Sequence, residues 1–212
     1  MCYLESMMMN WKFLKWLSSG LLLGLVLTGC QSDYTKMVKS ELAKGVRQDS
    51  VLLGIKLGNT RQEFYGKCYD LNKEHLIMPG AGGNAVQYEI MDSLFHKQPT
   101  KIILQFVPAF DNKDVITNID MKLNYPGWAS GNESYQSDSL KIKVMALLMK
   151  WYGGNEFVTA KVGEEEIPAK VDGNRRILIY VKDKQNVQVK VQDILHPKFM
   201  HSISAKPEEN NN

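Results

Sequence analysis

Between Glu156 and Ile194 the chain offers four short segments, EFVTAKV, IPAKV, RRILIYVKD and NVQVKVQDI, rich in β-branched residues and separated by turn residues. Successive side chains of a strand point to opposite faces, so alternation along each segment gives it one side for a core. Asp172-Gly173-Asn174 and Lys184-Gln185-Asn186 supply the chemistry of tight turns. Strands this close in sequence join through hairpins, and the stretch therefore predicts an antiparallel meander.

A helix is expected before it. Gly127 to Gln136 reads as a polar connector, and Ser137 or Asp138 is placed to cap a helix running through SLKIKVMALLMKWYG. Leu140, Val144, Leu147, Leu148 and Trp151 form its apolar stripe, and Gly153-Gly154 ends it. The first half has a matching layout. Val51 to Leu57 reads as a strand, Thr60 with Glu63 is a capping-box pattern, and Phe64, Tyr65, Cys68, Leu71 and Leu76 give an apolar helix face. After the turn-forming MPGAGGN come the strand segments NAVQYEI, KIILQFVPAF and VITNIDMKLNYP. Pro108 should end or edge its strand, and Asp111 to Asp114 should form a hairpin loop. The predicted fold class is α+β, with two successive helix-plus-antiparallel-meander units at 51–126 and 127–195 and a polar tail at 196–212. Its core is expected to draw on Phe64, Leu71, Ile103, Phe106, Leu147, Trp151, Leu178 and Tyr180.

The amino-terminal region carries a different signal. Trp16 to Thr28 holds no charge, yet it is shorter than the roughly 20 apolar residues that a membrane-spanning helix needs. Lys12 and Lys15 precede it and small residues close it, which is the layout of a secretory signal peptide at 1–29. Glu5 is out of character for such a region, so Met9 is the expected start, with 1–8 lying ahead of it. Leu27-Thr28-Gly29-Cys30 resembles the lipobox of bacterial lipoproteins. That resemblance implies a diacylglyceryl group on the Cys30 sulfur, cleavage before Cys30, and a mature chain that begins there. Residues 30–50 are expected to be a lipid-anchored tether, with Val38, Leu42 and Val46 spaced for a short amphipathic helix. Gln31 stands where an Asp would retain a lipoprotein in the inner membrane, which favours the outer membrane. With Cys30 acylated and Cys2 removed, Cys68 is left alone, so no internal disulfide is expected.

Gly54-Ile55-Lys56-Leu57-Gly58-Asn59-Thr60, leading into a capped helix and then strands, resembles small outer-membrane lipoproteins of the SmpA type. Two such units in tandem resemble the β-lactamase-inhibitor-protein fold. The resemblance implies a layout and carries over no functional residue except Cys30.

Signals for chemistry are sparse. Gly80-Ala81-Gly82-Gly83-Asn84-Ala85 matches a dinucleotide fingerprint, but a helix pattern precedes it and a strand pattern follows, the reverse of what pyrophosphate binding needs. His75, His96, His196 and His201 are scattered, and Glu164 to Glu166 sit in a turn where they cannot converge on one atom. No Gly-x-Ser-x-Gly elbow is present. Cys68 reads as a small buried apolar residue. Asn132-Glu133-Ser134 is a formal sequon, and Asp49-Ser50-Val51, Asp92-Ser93-Leu94 and Asp138-Ser139-Leu140 are short glycosylation-like tripeptides. Trp128, Tyr135, Trp151 and Tyr152 could line a groove, with Trp151 and Tyr152 assigned to packing and Trp128 to a surface loop.

The net charge of +3 does not call for nucleic acid. The chain is therefore expected to be a cell-envelope protein attached to the membrane through its lipid, without metal or cofactor. Its domain should be a non-catalytic binding or scaffold module for another envelope protein or glycan, using a sheet face or the Pro126–Gly131 loop with Trp128 as anchor. The alternative is a surface hydrolase or carbohydrate-active enzyme.

Overall fold

Why the second half forms hairpins is visible in its register. In the computed structural model, which describes residues 31–92 and 100–204 and the side chains of 31–91 and 100–200, β7 (Val158–Val162), β8 (Glu165–Asp172), β9 (Arg175–Val181) and β10 (Val187–Asp193) follow one another as antiparallel neighbours. The turn between β8 and β9 is only Gly173-Asn174, with Gly173 at φ +55°. The first half supplies β3 (Ile77–Pro79), β4 (Val86–Asp92), β5 (Thr100–Phe110) and β6 (Ile116–Asn124). β6 pairs with β10, giving one eight-stranded sheet ordered β3-β4-β5-β6-β10-β9-β8-β7, antiparallel throughout. The fold is α+β and mostly sheet.

α1 (Asp33–Lys44) precedes a small hairpin of β1 (Ser50–Leu52) and β2 (Ile55–Lys56); α2 (Arg61–Lys73) precedes β3, and α3 (Ser137–Tyr152) precedes β7. All described elements lie in a compact unit that begins at Asp33. Thr60 and Glu63 close a full capping box on α2. α3 begins after Gln136 without a side-chain cap, so neither Ser137 nor Asp138 caps it; the Ser137 amide donates to Lys184 O instead.

Phase along β5 assigns the two faces. Ile102, Leu104 and Phe106 are 3, 0 and 0 % exposed, whereas Val107 is 41 % exposed and Ile103 is half-buried. α2 and α3 cover this inner face, where Phe64, Leu140, Val144 and Leu148 join Phe106, Met121, Ile177 and Val189 in one core. Each such side chain contributes roughly 1.5–3 kcal/mol on full burial. On the outer face α1 covers the β7–β9 side: Tyr34 packs on Ala160, Ile167, Ala169 and Leu178, and Val38 on Val171 and Ile194.

Several expectations are corrected. Val51 to Leu57 is not one strand, because Leu53 (φ +50°) and Gly54 (φ +80°) turn it back as β1 and β2. Ile103 faces away from the main core, Trp151 and Tyr180 are half-buried, and Tyr65 and Leu76 are exposed. Within 30–50, α1 occupies 33–44 and is docked on the sheet, so only 31–32 precede it among the described residues. Within 196–212, Pro197–Ser204 form α4, with Phe199 buried. The edge reading of Pro108 holds: it lies inside β5, paired with Ile119 on one side and beyond the last β4 pairing at Val86 and Phe106, where that strand becomes an edge.

Candidate functional site

The outer face over β3, β4, β5, β6 and β10 is built from the residues that alternation turns away from the helices. Cross-strand register gives one row of Met78, Gln87, Gln105, Lys122 and Gln188, and another of Val107, Asp120 and Lys190. Met78, Met91, Lys122 and Val107 are exposed and most of the rest half-buried. Lys101 pairs with Glu89 at 2.6 Å, and Gln105 reaches Gln87 at 3.4 Å. An antiparallel sheet tolerates one solvated face. This one also carries apolar side chains in solvent, and the shielded Asn118 Oδ1 and Asp120 Oδ1 have no hydrogen-bond partner among the described residues. Such oxygens are costly to leave unsatisfied.

The opposite side of the sheet is held by buried charge. Lys170, with 0 % of its side chain exposed, meets Asp172 Oδ1 at 3.0 Å and donates to Asn155 O; Arg175 meets Asp172 Oδ2 at 3.2 Å and donates to Ser50 O at 2.8 Å. Glu41 of α1 accepts from the Gly173 amide at 2.9 Å, from Asn155 Nδ2 at 2.7 Å, and from Lys44. Burial pushes the Glu41 carboxyl up, but the Gly173 amide, Lys44 and Asn155 outweigh it and bring it down to about 2. Gly154 (φ +75°) and Gly173 are required here: a Cβ would run into Asp172 at the first and into the Val46 carbonyl at the second. Arg47 bridges Asp49 and Asp193, both at 2.9 Å. This network fastens α1 and the 45–50 segment to the β8–β9 turn. Each charged side chain in it has an ion-pair or hydrogen-bond partner, while the buried Arg175 Nε has none among the described residues, and the arrangement acts as a clamp.

A cleft of about 240 Å³ lies between residues 50–53 of the β1–β2 hairpin, Tyr88, and Trp151-Tyr152 at the end of α3. Tyr152 donates to Val51 O while Arg175 stacks on its ring at 4.1 Å. That volume falls below the usual range of small-molecule sites and suits a single side chain or ring.

The residues singled out by sequence are dispersed. Trp128 is half-buried and its indole N–H donates to Lys184 O at 3.1 Å, so it binds the 127–136 connector to the β9–β10 turn. Tyr135 packs edge-on against Tyr125, and Trp151 edge-on against Tyr152, as separate ring pairs. Cys68 is half-buried and burial pushes its thiol up to about 11, leaving little thiolate. His196 faces Asp111 at 3.5 Å. Gly80 to Ala85 is the β3–β4 turn, closed by Gly80 N donating to Ala85 O. Glu164 to Glu166 are all exposed. Cys30 and the lipobox lie outside the described residues, as do the side chains of His96 and His201. Sequence reasoning did not single out Lys170, Arg175, Asn118 or Asp120, and it read Asp172 only as a turn residue; strand alternation alone puts Lys170 on the inner face beside Ile177, which was the available signal.

No group of three or more His, Cys, Asp or Glu residues among the described residues could hold a metal ion. No described helix is long and apolar enough to cross a membrane. No family model, curated protein or solved structure matches the chain.

Proposed function

We propose that this is a lipid-anchored cell-envelope protein, attached through Cys30 and favouring the outer membrane, whose domain is a non-catalytic binding or scaffold module. The observation that carries the reading is the solvent-facing part of the outer face over β3–β6 and β10 among the described residues, with exposed Met78, Met91, Val107 and Lys122 set among half-buried Gln87, Gln105 and Asp120. Mixed apolar and polar composition on a regular surface is what a protein–protein interface presents. A glycan would call for aromatic platforms, and of the two residue rows one reaches a single ring, Tyr180 beside Gln188, while the other continues to Leu178 beside Lys190. The partner is accordingly another envelope protein.

The arrangement of α2 before β3–β6 and α3 before β7–β10 supports two successive helix-plus-meander units, with the joint between them at β6 and β10. In that reading the outer face is a surface shared by both units.

A photo-reactive side chain at Val107 tests the assignment in membranes, with one at exposed Tyr69 of α2 as control. Val107 should give a discrete cross-linked protein that Tyr69 does not. Identical products from both positions, or none from Val107, would overturn the outer face as the binding surface. Intact-mass analysis of the membrane-extracted protein checks the anchor, since two or more acyl chains are needed for stable attachment.

A further inference from the structure

α1 fixes which end of the sheet faces the anchor. Its carboxyl end reaches the β8–β9 turn through Glu41 and Gly173, and its amino end lies toward the β7–β8 turn through Tyr34, Ala160 and Ile167. Only Gln31 and Ser32 separate Cys30 from Asp33. Three residues span at most roughly 11 Å when fully extended. An acyl group on Cys30 would therefore hold the β7–β8 end of the domain close to the bilayer, with the strands rising from it.

The same end carries the β9–β10 turn, the end of β6 and the Pro126–Gly131 loop, because the Trp128 indole N–H and the Ser137 amide both donate to Lys184 O in that turn. Val162 and Val181, 40 and 41 % exposed, flank these turns, and Lys161, Lys182 and Lys184 surround them. Glu164, Glu165, Glu166 and Asp183 are also at this end, so net attraction to an anionic surface does not drive the contact. A Trp whose N–H is satisfied by Lys184 O and whose ring is partly free is suited to the interfacial zone of a bilayer.

We propose that this end of the domain, with Trp128 at its edge, rests on the lipid surface as a second membrane contact. It rests on the reading of Cys30 as an acylated anchor. The partner-binding outer face then stands sideways to the membrane, and the β5–β6 and β8–β9 turns point away from it.

The test uses the full acylated protein in zwitterionic phosphatidylcholine vesicles containing a headgroup-labelled quencher lipid. In a Cys68→Ser background, a fluorophore is attached at Glu164→Cys or at Asn112→Cys, the latter in the β5–β6 turn at the opposite end. Quenching at Glu164→Cys is expected to exceed that at Asn112→Cys by roughly twofold or more, as interfacial depth requires. In Trp151→Phe, the Trp128 emission should be quenched as well. Equal quenching at both labelled ends, or an unquenched Trp128 on protein shown by mass to be acylated and vesicle-bound, overturns the orientation and leaves the anchor standing. An unmodified Cys30 overturns both.

Discussion

The two margins of the sheet are stabilised differently. On the β7–β9 side both faces are covered, the outer one by α1, and Lys170, Asp172 and Arg175 are paired within the protein. On the β3–β5 side, among the described residues, only the inner face is covered, and its residues are apolar: Ile102, Leu104 and Phe106. A helix laid over a sheet must satisfy the polar groups at its edges, and here Glu41 and the Gly173 turn do so. The open side has no such constraint, which leaves its outer face available to another molecule.

The clamp should be the more easily broken of the two. Asp172→Ala removes the shared counter-charge of Lys170 and Arg175 while both stay buried, which is expected to destabilise the domain by about 3–5 kcal/mol. Denaturant titration measures this. A loss below about 1 kcal/mol would show that the two cations find other partners, and that the clamp contributes little.

Glu41→Ala comes next. It leaves the Gly173 amide without its acceptor and removes one of the two acceptors of Asn155 Nδ2, which still donates to Val171 O, for an expected loss of about 1–3 kcal/mol. The same carboxylate makes the clamp acid-sensitive. Its pKa is about 2 in the folded protein against an ordinary value of 4.5. The stabilisation is fully present above that ordinary value and declines as the pH falls from 4.5 toward about 2, because the unfolded chain takes up the proton first. Thermal midpoints across that interval should fall more steeply for the native protein than for Glu41→Gln. Parallel curves would remove Glu41 from the account.

What sequence revealed divides along the same line. Strands β4–β10 and helices α2 and α3 were legible because their periodicities are local, and the Thr60–Glu63 cap because it spans three residues. The clamp was not, because Glu41 meets Gly173 across 132 positions and no local pattern announces the pair. Ile103 shows a subtler failure. Ile102 and Ile103 are adjacent and equally apolar, and only Leu104 and Phe106 set the phase that buries the first. In α4, Pro197 at the first position is a start signal, and Phe199 is the residue that docks it. The open face itself followed from alternation, but the choice of which side stays uncovered depended on where α1 lands.

The smallest effect separates surface from core most cleanly. Val107 is 41 % exposed and stands beside Asp120, its cross-strand neighbour on β6. Val107→Lys should therefore change stability by no more than about 0.5 kcal/mol, as surface substitutions do, and the new ammonium can approach the Asp120 carboxylate. Partner capture, measured by cross-linking from Met91 on the same face, should nonetheless fall, because a charge would enter the apolar part of the interface. Stability and capture lost together would place Val107 in the fold. Stability and capture both retained would move the interface off this row, toward Met78 and Gln87 at the β3 margin.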